Sequence, residues 1–125
     1  MADTTVATVD LSTTAMTDAA IGLGTAIAAA NTHVITPNGP LEEMVIRVAN
    51  TEASTNVVTV LAGDNPPAGS EGQGNFVSAA IDATTGIVIL PPLESARYLQ
   101  DNGTIRITVE AGMTGFILPI QVPRV

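Results

Sequence analysis

Residues 41–62, LEEMVIRVANTEASTNVVTVLA, set two alternating apolar runs on either side of a polar connection, and a period of two commits the middle of the chain to strands. Met44, Ile46 and Val48 fall on one face of the first run and Val45, Arg47 and Ala49 on the other, because successive strand residues point to opposite sides. Arg47 marks the solvent face. In the second run Val58 and Val60 alternate with Val57, Thr59 and Leu61, while residues 50–56 supply the short polar link. The stretch predicts a β-hairpin.

The rest of the chain repeats this pattern. Residues 104–110 alternate most cleanly, with Ile105, Ile107 and Val109 pointing inward and Thr104, Arg106, Thr108 and Glu110 outward. Shorter strands are predicted over residues 5–11, 31–36, 76–81 and 86–90. In the last run Phe116, Leu118, Ile120 and Val122 form the expected inner row; Pro119 falls in the outer row, and its missing N–H puts that strand at an edge or at a bulge. Turn chemistry separates the runs: Pro37-Asn38-Gly39-Pro40, the glycine- and proline-rich residues 63–74, Pro91-Pro92, and Asn102-Gly103, which favours a tight hairpin. Residues 93–100 read either as one helical turn or as an extended edge. Gly22 and Gly24 each cost a helix about 1 kcal/mol relative to alanine, so residues 19–30 read as extended or irregular. About eight short strands without a long helix give an all-β fold. The expected architecture is a β-sandwich or jelly-roll-like single domain over residues 19–125, preceded by an extended N-terminal arm over residues 1–18.

Composition narrows the partners. A chain of 125 residues buries roughly two thirds of its unfolded surface. With aromatic residues at 2%, that core must be built from Val, Ile, Leu and Ala. Charged residues make up 13%, against about 25% in globular domains, so much of the surface is small and weakly polar, the kind a partner partly covers. Four scattered arginines, no lysine and a net charge of −8 argue against nucleic acid, which needs basic side chains converging on one face. The same balance argues against an anionic membrane surface. There is no cysteine, which rules out disulfides and thiolate metal sites and leaves the redox compartment open. The first residues, MADTTVATVDL, have neither a basic nor an apolar leader region, and residues 19–30 are too short to span a bilayer. A chain made and kept soluble in a cytoplasm is expected.

No motif carries chemistry. His33 is the sole histidine, which excludes a two-histidine metal site within one chain, and its place before Val34-Ile35 reads as a strand position. No Gly-x-Ser-x-Gly elbow occurs. Gly22 and Gly24, and Gly69, Gly72 and Gly74, lack the lysine and the strand-to-helix setting of a phosphate loop. Asp64, Asn65 and Glu71 offer oxygens to calcium but match no established loop spacing. Glu42-Glu43, and Glu94 with Asp101, are the carboxylate pairs a sugar hydrolase would need, yet nothing sets either across a cleft, and there is no tryptophan for a sugar to stack on. Asn102-Gly103-Thr104 is a glycosylation sequon that reads more simply as a turn. No catalytic residue, cofactor or metal is expected, and the chain reads as a non-enzyme.

Five stretches stand out beyond their alternation: VIRVANT at residues 45–51, VTVLAGDNPPA at 58–68, SARYLQDNGTI at 95–105, AGMTGFI at 111–117 and VPR at 122–124. In these the chain resembles small β-rich proteins encoded beside the major capsid gene of tailed bacteriophages, especially those of actinobacteria. The stretches are strand and turn motifs, and residues 1–30 are scarcely covered. The resemblance implies a capsid decoration protein bound to the outer surface of the head, between capsomers, often as a trimer, with the major capsid protein as its partner. The alternative is a tail- or fibre-associated module recognising a glycan or protein on a host surface; a small hydrolase is a remote third. On the decoration reading the N-terminal arm suits contact with the shell or a neighbouring copy. Thr4, Thr5, Val6, Val9 and Leu11 are the candidate contact residues, since strand addition needs little side-chain specificity.

Overall fold

The computed structural model describes residues 2–11, 16–17, 21–63 and 74–122. They form two mixed sheets of strands with almost no helix and no closed barrel. The strands are β1 (Asp3–Val6), β2 (Val9–Asp10), β3 (Thr25–Ala26), β4 (Thr32–Ile35), β5 (Met44–Asn50), β6 (Val58–Val60), β7 (Phe76–Val77), β8 (Gly86–Leu90), β9 (Ile105–Val109) and β10 (Gly115–Gln121). A single 3-10 turn, Leu41–Glu43, leads into β5, and one helical turn, α1 (Ser95–Tyr98), precedes β9. The first sheet runs β1-β4-β9-β6-β7. The second runs β2-β10-β5-β8, with β3 also paired to β10. Only β1 on β4 and β2 on β10 are parallel pairs.

Rows from both sheets meet in one core. Ile35, Val58, Val60, Ile105 and Ile107 come from the first sheet, and Met44, Ile46, Val48, Leu90 and Ile117 from the second. The alternation in β5 and β9 is as the sequence predicts for Met44, Ile46 and Val48 in β5 and for Ile105 and Ile107 in β9, all buried; Asn50, read as the start of the polar link, instead ends β5 and is buried too. Each fully buried Val, Leu or Ile contributes about 1.5–3 kcal/mol, and because only Tyr98 and the partly buried Phe76 add aromatic area, many small contributions replace a few large ones.

The predicted hairpin is not formed. Both sides of β5 are occupied, by β10 over seven residue pairs and by β8 over five, so no edge remains for β6. Strand β6 lies instead in the other sheet, between β9 and β7. The crossover between the sheets is held by Asn50. Its buried Nδ2 donates to the carbonyls of Ser54 (2.9 Å), Ile81 and Asp82 (3.2 Å each), and its Oδ1 accepts from the Glu52 N–H (3.1 Å) and from Asn56 Nδ2 (3.3 Å). Cross-strand from Asn50 stands Gly115, at φ +144°, where a Cβ would collide with the carbonyl of Ala49.

The register of the last strand is also the reverse of that expected. Ile117, Pro119 and Gln121 are buried on the core side; on the other side Leu118 is buried as well, Phe116 and Ile120 are half-buried, and Val122 is exposed. Apolar residues occupy both faces of this strand, so alternation alone does not choose between them. Pro119 is neither on the outer row nor at a sheet edge. Gly115 and Gln121 turn their carbonyls away from β5, to Ile27 N and Leu11 N, and by alternation Pro119 turns its nitrogen the same way. That side of β10 pairs with β3 at Phe116 and Ile117 and with β2 at Ile120 and Gln121, and Pro119 falls in the interval between them. The missing N–H faces a gap in the ladder.

Two local expectations change as well. Residues 93–100 include the helical turn α1, so Asn102-Gly103 joins a helical turn to β9 rather than two strands of a hairpin, with the Gly103 N–H bonded to the Gln100 carbonyl at 2.9 Å. The run 76–81 pairs only at Phe76–Val77, then touches Asn56 through an isolated bridge at Ile81.

Ile107→Asp is expected to abolish folding, since an unpaired buried carboxylate costs several kcal/mol against a total stability of about 5–15 kcal/mol. Arg106→Ser should cost at most about 1 kcal/mol, because Arg106 faces outward and its pair with Asp3 (2.8 Å) is solvent-accessible. Thermal melts of the two variants decide this; equal loss of stability would contradict the register of β9.

Candidate functional site

The N-terminal residues singled out from sequence lie along one lateral edge of both sheets. Thr4 and Thr5 are in β1, in parallel register with His33 and Val34 of β4, and Thr4 Oγ1 accepts a hydrogen bond from Asn31 Nδ2 at 2.9 Å. Val9 is in β2, in register with Ile120, and the Leu11 N–H donates to the Gln121 carbonyl at 2.9 Å. Val6 and Val9 break strand parity because they belong to different sheets. Between them Thr8 Oγ1 donates to the Thr36 carbonyl (3.0 Å) and the Ala7 N–H donates to Thr25 Oγ1 (3.2 Å).

Val6 is 2% exposed and part of the core. Thr5 is exposed, while Thr4, Val9 and Leu11 are half-buried.

The outer faces of the two sheets differ in character. On the first, Thr59, Arg106 and Thr108 face outward from the central strands, with Asp3 paired to Arg106 at the edge. On the second, Ile87 and Ile89 of β8 are 53% and 62% exposed. The strand registers extend from them to Ala49 and Arg47 of β5, then to Phe116 and Leu118 of β10. Arg47 is the one charged residue in those rows. Leu118 is buried by the chain passing over it at Gly24, where a Cβ would come within 2.4 Å of the Ile117 carbonyl oxygen. Gly24, at φ +103°, therefore serves a close backbone approach rather than a phosphate. The sequence hid this face, since Ile87-Val88-Ile89 reads as a strand buried on both sides.

The remaining candidates are accounted for structurally. His33 is fully buried in β4, and its Nε2 accepts the Ala28 N–H at 3.0 Å, so the neutral ring carries its proton on Nδ1. Burial pushes its pKa below the ordinary 6.5; the backbone at Ile107 opposes that fall without reaching Nδ1 in hydrogen-bonding geometry. Glu42 accepts from the Ser95 N–H (2.7 Å) and Ser95 Oγ (2.8 Å), and these bonds lower its pKa. It tethers α1 to the turn before β5. Glu94 accepts at its main-chain carbonyl from the Arg97 and Tyr98 N–H groups. Asn102 Oδ1 accepts from the Thr104 N–H and hydroxyl, closing the turn before β9.

Among the described residues no three His, Cys, Asp or Glu side chains group to hold a metal, and no helix is long and apolar enough to cross a membrane. Asp64, Asn65, Glu71, Gly69 and Gly72 lie outside the described residues. Comparison of the chain with models of known protein families, with characterised proteins and with solved structures finds no match.

His33 makes stability depend on pH. Its folded-state pKa lies below the unfolded value, so between the two the unfolded chain binds more protons and stability falls as the pH drops. Chemical denaturation from pH 8 downward should show a loss that starts near pH 6.5, the ordinary histidine value, and levels off below the lowered one. His33→Gln should remove that step while lowering stability throughout; an unchanged step in the variant would assign it to another group.

Proposed function

We propose that the chain is a structural decoration protein of a tailed-bacteriophage head, bound to the outer surface of the shell at capsomer joints. The observation that carries a contact role is the outer face of the second sheet, where Ile87 and Ile89 stand exposed in rows whose one charge is Arg47. Leaving two isoleucines in water is unfavourable, and a contiguous apolar patch on one face suits a partner surface. The strand and turn motifs at residues 45–51, 58–68, 95–105 and 111–117 direct that role toward the capsid.

On this reading the two sheets are the faces of a β-sandwich of jelly-roll type, and the protein works by contact rather than by catalysis. Its partner is the major capsid protein, and it assembles as a trimer. Thr4, Thr5, Val9 and Leu11 lie at the sheet edges formed by β1 and β2, where a shell strand or a neighbouring copy can add main-chain hydrogen bonds. Val6 anchors that edge from inside. Three such edges in one trimer multiply a weak contact through effective concentration.

Mixed with heads that lack it and sedimented, the protein should pellet with them to a fixed saturating ratio. Thr5→Glu, a change at an exposed position, should fold normally and lower that occupancy. Failure of the wild-type protein to bind heads, or binding to host cells in their place, would contradict the decoration reading.

A further inference from the structure

The edge of β8 carries an inference that does not rest on the capsid reading. Strand β8 pairs with β5 along one side only; among the described residues nothing pairs with its other side. Backbone N–H and C=O groups along such an edge are a template for another strand unless charged residues or prolines guard it. No charged residue and no proline falls within GIVIL. The edge is also preformed. The Gly86 N–H donates to the Asp82 carbonyl and the Thr84 N–H to the Glu52 carbonyl (2.8 Å), fixing where the strand begins, and Pro91-Pro92 ends it.

Charge selects the occupant. Asp82 stands four residues before β8 and Glu94 four residues after it, both exposed. Glu52 and Glu42 are tied to these same two ends, through Thr84 and through Ser95. A second copy pairing antiparallel about Val88 would bring each Asp82 toward the other copy's Glu94, so self-pairing sets like charges together at both ends. The chain's own N-terminal segment, with Asp3 and Asp10, is disfavoured in the same way.

We propose that β8 is a docking edge for one extended segment of another protein. That segment alternates apolar and polar residues over about five positions and carries Lys or Arg at its ends. It would add as a strand, cover Ile87 and Ile89 with its apolar row, and set its basic ends against Asp82 and Glu94. Attraction of this kind weakens as salt screens it.

The test uses the full-length protein with two synthetic peptides. Both alternate Val and Thr over six residues; one has two lysines at each end and the other two glutamates. Amide hydrogen exchange should slow within Gly86–Leu90 on adding the lysine peptide, which should bind at least tenfold more tightly than the glutamate peptide at low salt. Ile89→Lys, a change at an exposed position, should keep the melting temperature and lose the protection. Asp82→Asn with Glu94→Gln should narrow the gap between the peptides. Equal binding of both peptides, protection confined to another edge, or no protection by either would overturn the proposal. Concentration-dependent protection of Gly86–Leu90 without peptide would overturn it in favour of a second copy.

Discussion

The side-chain amide of Asn50 lies at the end of the most extensively paired strand, 1% exposed, with Gly115 across from it on one side and Gly86 on the other. From there it reaches both the crossover at residues 51–56 and the turn at Ile81 and Asp82. A buried amide must satisfy two N–H donors and a carbonyl, and a site that satisfies all of them admits few alternative chain paths. Two consequences follow. The chain leaving β5 is turned out of the second sheet and delivered to β6 in the first, and the turn that launches β8 is held against the same point. This polar, closed corner sets where the chain passes from the second sheet to the first. An apolar residue at position 50 would leave the carbonyls of Ser54, Ile81 and Asp82 without that donor.

The core around this corner is aliphatic and evenly shared. Without tryptophan, and with Tyr98 as its one fully buried aromatic residue, no single side chain dominates it. Stability therefore rests on registers being kept over many short strands. The N-terminal segment contributes to this by lying on both sheets at once, β1 on β4 and β2 on β10, with Val6 buried between. At the opposite lateral edge, nothing among the described residues pairs with the outer side of β8.

Much of the fold was legible in the sequence, and what was not has identifiable causes. Alternation located β5, β6, β8 and β9 and assigned the inner rows of β5 and β9, because polar residues such as Arg47, Arg106 and Thr108 mark the outer side. It failed in β10, where Phe116, Ile117, Leu118 and Ile120 make both faces apolar, and on the outer face Leu118 is buried and Phe116 and Ile120 are half-buried. It also failed on pairing. Two runs joined by a mostly polar link of seven residues read as a hairpin, and the signal against that, a buried Asn50 with both flanks of β5 occupied, exists only in three dimensions. The exposed edge at Ile87 and Ile89 was invisible for a related reason: a run of branched apolar residues is the signature of a strand buried on both sides. Thr4, Thr5, Val9 and Leu11 lie along an edge, and the burial of Val6 is readable only once Val6 and Val9 are known to serve different sheets.

On the proposed role this all-β protein covers the outside of a phage head, and an image reconstruction of the particle is the decisive measurement. Density for a two-sheet domain is expected outside the shell, repeated at equivalent capsomer joints, with the β1 and β2 edge toward the shell. Heads without such density, or the same domain found only at the tail, would contradict it.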